Sequence, residues 1–111
     1  MSAKPLVLRR AAADAIDAAT DHYLTEGGAD LALRFVAELE ATFGHIAAYP
    51  AIGSLRYARE LGIDGLRHWP LRKFPHLVFY LERSTQIDVL HVLHGQRDIP
   101  AWLDPTQETL R

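Results

Sequence analysis

Cysteine is absent from the 111 residues, which excludes a disulfide framework, thiolate-bound zinc, an iron–sulfur cluster and a cysteine nucleophile. Also missing is any apolar run near the ~20 residues that a membrane-crossing helix requires. The opening Met1-Ser-Ala-Lys-Pro5 leads into only three apolar residues before Arg9-Arg10, so no secretory signal is visible and a cytoplasmic location is expected. No charge sign dominates either: 12 basic against 14 acidic residues leave a net charge of −2, too balanced for bulk nucleic-acid binding. Repeats and low-complexity tracts are lacking. What is present is an ordinary globular mixture, 49% apolar and 23% charged. It is expected to form one domain over residues 1–111, burying roughly two-thirds of the surface its unfolded chain exposes. That leaves no room for a second domain around a large cofactor, and no cofactor is expected.

Charge is unevenly spread. Residues 1–53 carry four basic and seven acidic groups, whereas residues 54–97 carry seven basic and four acidic ones. A basic middle segment suits an acidic partner or simply a solvated mixed surface.

The hydrophobic pattern changes period along the chain. Pro5 to Arg9 reads as an edge strand, because proline cannot donate a ladder hydrogen bond. Ala12, Ile16, Ala19 and Tyr23 recur at helical spacing, and Gly27-Gly28 ends that helix. Asp30 can cap a second helix running to about Ala48, with Ala32, Phe35, Leu39, Phe43 and Ile46 on its apolar stripe. Pro50 to Asp64 reads as irregular. Strands are then expected at Leu66–Pro70, His76–Arg83 and Ile87–His94, with Ser84-Thr85 as the last hairpin turn. The latter two are nearly continuous apolar runs, so both their faces need cover, from the helices on one side and a loop or partner on the other. Asp98 can cap a short closing helix through Leu103. Strand, helical hairpin, three strands and a short helix make an α+β domain.

"LRHWPLRKFPHLVFYLE" (Leu66 to Glu82), "IDVLHVLHGQRDIPAWL" (Ile87 to Leu103) and "AAYPAIGS" (Ala47 to Ser54), in this order, resemble the RelE/ParE superfamily of toxin–antitoxin toxins. The resemblance spans nearly the whole chain and is nearest to the ParE-type branch of plasmid-stabilisation toxins. "VLHGQRD" is its most specific piece, an Arg-Asp pair directly after an apolar strand that ends in histidine. The fold it implies is an N-terminal strand and helical hairpin packed on an antiparallel sheet, with a short C-terminal helix. It also implies a hetero-oligomer with a ParD-like antitoxin, whose C-terminal segment folds on the toxin and through which alone DNA is met. ParE-type toxins poison DNA gyrase, while RelE-type toxins cut messenger RNA on the ribosome, and the shared fold cannot choose between them.

RNA cleavage needs a base, an acid and cations on the phosphate. His94, Arg97 and Arg67 are the candidates for it, with Arg72, Lys73 and Arg83 as further basic positions. The C-terminal segment has no tyrosine. Trp102 stands there instead, and an indole can stack on a base but cannot exchange a proton. This favours the gyrase inhibitor, with no catalytic residues, over the nuclease. His91 and His94, three apart in a strand, are expected on opposite faces. No metal is expected, since His68 and His76 lack helical ligand spacing. Arg97-Asp98 reads first as structural, with Asp98 capping the short helix and Arg97 pairing with Asp98 or Glu82. Arg72-Lys73, between Pro70 and Pro75, is either a solvated turn or a dock for an acidic antitoxin segment. Trp69 and Trp102 serve as core anchors or as interface hot spots. The candidate antitoxin-binding set is Arg67, Trp69, Arg72, Lys73, Arg83 and Trp102.

Overall fold

A computed structural model describes residues 4–99. Strand β1 (Leu6–Leu8) leads into a helical segment α1 (Arg10–Ala48), a 3-10 turn (Pro50–Ile52) and the one-turn helix α2 (Ala58–Leu61). Strands β2 (Arg67–Pro70), β3 (His76–Glu82) and β4 (Ile87–His94) follow. This is the expected α+β order as far as β4; the expected closing helix through Leu103 runs outside the described residues.

The helical hairpin turns on one residue. Gly28, at φ 77° and ψ −171°, is the single non-helical position within α1. Tyr23 and Phe35 have ring centroids only 5.1 Å apart, whereas twelve residues of straight helix would separate them by about 18 Å. The chain therefore doubles back at Gly28. Asp30 lies within the first turn of the second limb, where its carboxylate favours the helix N-terminus without being the cap.

The sheet order is β1-β4-β3-β2, with β1 parallel to β4 and the other pairs antiparallel. β1 is an edge strand, as its proline foretold. β4, the last strand in the chain, is thus central. Between Phe79 and Tyr80 the β3–β4 register shifts: Phe79 faces His91 and Tyr80 faces Val89, leaving Leu90 as the extra residue. This bulge keeps Ile87, Val89 and Val92 together in the core under the hairpin, although their spacing is two and then three. Beyond the bulge, alternation resumes. His91 pairs with Phe79 and His94 with His76, on opposite faces as expected.

The face toward α1 carries Val78, Tyr80, Ile87, Val89 and Val92 against Ala12, Phe35, Leu39 and Ile46. The other face carries Leu66, Phe79, Leu93 and Ile99, with Tyr57, Ala58, Leu61 and Ile63 packed on them. Residues 50–61, expected to be irregular, form two short helical turns, and α2 helps to cover that second face. Ordinary propensity did not mark them, because their helicity comes from packing on the sheet. No helix among the described residues is long and apolar enough to cross a membrane.

Candidate functional site

Two of the basic residues singled out in the sequence, Arg67 and Arg83, are tied to the fold. Arg67 Nη1 donates to the carbonyls of Gly53 at 2.7 Å and Ala51 at 3.2 Å. The same turn is stitched from below by Tyr80, whose hydroxyl donates to Pro50 O at 2.8 Å and accepts from Gly53 N at 2.9 Å. A side chain at Gly53 would have its Cβ 2.5 Å from the Tyr80 hydroxyl and 2.9 Å from His68 O, so only glycine lets the turn approach this closely. Arg83 Nε donates to Asp88 at 3.1 Å, joined there by Arg9 at 3.3 Å and Gln86 at 2.6 Å. Asp88 is 1% exposed. The hydrogen bond from Gln86, with those from Arg83 and the charge of Arg9, holds its carboxyl below the usual range against the cost of burial.

Arg72 and Lys73 are exposed in the β2–β3 connection, and Lys73 takes a left-handed φ of 68°. The register sets Arg67 opposite Tyr80 and Pro70 opposite Leu77. Arg67 and Arg83 therefore sit at one end of β3 and Arg72-Lys73 at the other, roughly six residues or about 20 Å apart. The four do not form one basic patch. Trp69 packs on the hairpin side, its ring 5.7 Å from His45. With Arg72 it borders a groove of about 380 Å³ between the second limb of α1 and the edge strand β2, opposite Glu38, Ala41, Thr42 and His45. Trp102 lies outside the described residues.

The three candidate nuclease residues are not brought together either. Arg67 belongs to the Tyr80 end of β3, while His94 faces His76 at the opposite end. His94 and Arg97 do share a neighbourhood. His94 Nδ1 accepts from Arg97 N at 3.0 Å, and His94 N donates to Asp98 Oδ2 at 2.9 Å. Arg97 Nε contacts Asp98 Oδ1 at 3.4 Å, which is the local ion pair read from the sequence; Glu82 pairs instead with Lys4 at 2.8 Å. Asp98 turns its carboxylate back to β4 and so closes the turn after the strand. Burial pushes that carboxyl up, but the His94 amide and Arg97 bring it below the ordinary range.

Sequence reading did not foresee what surrounds this turn. A cleft of about 600 Å³ opens between the first limb of α1 and the ends of β3 and β4, bordered by His22, Tyr23, His76, His94, Arg97 and Asp98. His76 is 4% exposed, its ring 5.6 Å from that of His94, and its Nδ1 has no hydrogen-bond partner among the described residues. Burial, then the nearby His94 and Arg97, lower its pKa to about 4. Burial raises the Tyr23 hydroxyl, with Arg97 pulling the other way. Among the described residues, no three His, Asp or Glu side chains are placed to hold a metal ion.

No curated protein matches the chain. Among solved structures it resembles the "Chromosomal ParDE TA system from P. aeruginosa", at a TM-score of 0.70 and 22% identity over 84% of this chain and 97% of that one. That likeness, at this identity, bears on the fold alone. Residues 6–99, from β1 to the turn that carries His94, Arg97 and Asp98, match the family described as the ParE toxin of the type II toxin-antitoxin system parDE. The chain belongs to the ParE toxin family.

Proposed function

We propose that the chain inhibits DNA gyrase and is held inactive by a ParD-like antitoxin. The observation that carries this reading is the dispersal of the residues that RNA cleavage would use. Arg67 spends its guanidinium on the Ala51 and Gly53 carbonyls, at the far end of β3 from His94. A phosphate held between them would be out of reach of one or the other, so a binding activity fits the geometry better than phosphodiester chemistry.

The antitoxin segment docks in the groove between the second limb of α1 and β2. Trp69 is half-buried there and offers an aromatic anchor, Arg72 offers a charge at the rim, and β2 is the sheet edge. An amphipathic, acidic segment is the complementary guest. It should bury at least ~1,000 Å² in total, the threshold for a specific interface. The second sheet face, already covered by Tyr57, Leu61 and Ile63, is not available for it.

Induced expression without antitoxin tests the target. Gyrase-linked DNA breaks and altered supercoiling, with bulk messenger RNA intact, are expected. Messenger RNA cleavage that is lost in His94→Ala or Arg97→Ala, with the fold retained, would replace this reading by the ribosome-dependent nuclease.

A further inference from the structure

The histidine cleft lies apart from the docking groove and is left without a role by gyrase inhibition. Its lining is rich in donors and poor in acceptors. His22 and Tyr23 come from α1, His76 from β3, His94 from β4 and Arg97 from the following turn, while Asp98 is the single carboxylate among the described residues. His91 also borders the cleft. Because His94 Nδ1 accepts the amides of Arg97 and Gln96, at 3.0 and 3.2 Å, its neutral ring carries the proton on Nε2. Arg97 is 64% exposed and engages Asp98 only through Nε, at 3.4 Å, so its terminal amines keep their donors. His76 is the second, independent sign. A buried imidazole nitrogen with no partner is costly unless something in the cleft pairs with it.

We propose that this cleft binds a tetrahedral oxyanion, the phosphoryl or sulfuryl group of a small ligand, through His22, Tyr23, His94 and Arg97 above the buried His76. A carboxylate is the poorer guest. It is planar and is satisfied by a single guanidinium fork. Donors that converge from a helix, a strand end and a turn match oxygens arranged in three dimensions.

The test uses the full chain, with imidazole resonances followed by NMR as sodium sulfate is added against sodium chloride at equal ionic strength. Sulfate stays a dianion across the histidine range, so its own titration does not intrude. Saturable shifts at His22, His76 and His94 are expected. At saturation the pKa of His76 should rise from about 4 by about one unit or more, because a nearby anion favours the imidazolium. Arg97→Gln and His22→Gln change exposed side chains and should each weaken binding at least fivefold without altering the circular dichroism spectrum. Adenosine 5′-monophosphate serves as a second probe: affinity more than tenfold above that of sulfate identifies a nucleotide as the source, and equal affinity identifies free oxyanion. Three results overturn the proposal: no saturable response to either probe, unchanged affinity in both variants, or acetate that binds as tightly as sulfate.

Discussion

Replacing Tyr80 by phenylalanine isolates the bond pair that fastens the 50–53 turn to the sheet. The ring is fully buried and stays in place, so packing is nearly preserved and the loss is polar. Gly53 N, in a buried residue, loses its acceptor and cannot turn to water, a cost of about 1–3 kcal/mol. Pro50 is only half-buried and its carbonyl can be hydrated, so the second bond contributes about 0.5–1.5 kcal/mol. The sum, about 2–4 kcal/mol, is a large share of the roughly 5–15 kcal/mol that holds a domain folded. At about 5 °C per kcal/mol for a chain of this size, Tm should fall by about 10–20 °C. Thermal and urea unfolding followed by circular dichroism would read it, with the urea slope unchanged. Tyr57→Phe is the control, since that ring rests on His68 and Phe79 and its hydroxyl is not tied to the turn. It should stay within about 0.5 kcal/mol. Gly53→Ala should be less harmful in the Tyr80→Phe background than alone, because the added Cβ would no longer meet a hydroxyl at 2.5 Å. A Tyr80→Phe protein as stable as the parent would refute the whole account of the turn.

Two glycines of α1 should respond in opposite directions. Gly28→Ala forces a side chain into φ 77°, ψ −171° with nothing nearby to clash, so the loss of about 1–3 kcal/mol measured by urea unfolding is purely conformational. Gly44→Ala, helical and in open space, should gain about 0.5–1 kcal/mol. Acid stability reports two kinds of buried group. His76, His68 and His91 have lowered pKa values, with burial the largest cause in each, so the unfolded state takes up their protons first and stability should fall as pH drops from about 6.5 toward 4. Asp88 adds a further loss below about pH 4 as its lowered carboxyl is finally protonated, and Asp88→Asn should flatten that part of the curve. At the docking groove, Trp69→Ala should weaken antitoxin binding by about 2 kcal/mol or more in calorimetry. Charge reversal at Arg72 and Lys73 should slow association at low salt while leaving the unfolding midpoint unchanged.

The elements were legible where one residue type carries one physical demand. A glycine pair between two apolar stripes announced the hairpin, and Pro5 announced the edge strand. The cleft was hidden by a single residue. With the hairpin turn at Ser84-Thr85, regular pairing sets His76 opposite Leu93 and puts His94 on the other face. The extra residue Leu90 shifts the register by one and joins the two imidazoles. Nothing in the composition of an apolar run marks which residue will bulge. His22 was equally silent, since its partnership depends on how the first limb lies across β4. Arg67 and Arg83 were read as available cations because their acceptors, two loop carbonyls and a buried aspartate, are defined only by the tertiary fold.

The placement of β4 also orders the birth of the protein. Leu6 pairs with Ile87 and Leu8 with Val89, so the two strands meet across nearly the whole described chain. A ribosome releases β1 and the hairpin long before their central neighbour exists, and closing so long a loop slows the final zipping of the sheet. Until β4 emerges, the apolar stripes of the hairpin lack Ile87, Val89 and Val92, the central part of the surface on which they lie. A message truncated before residue 87 therefore lacks the strand that joins β1 to β3, and its product cannot close the four-stranded sheet.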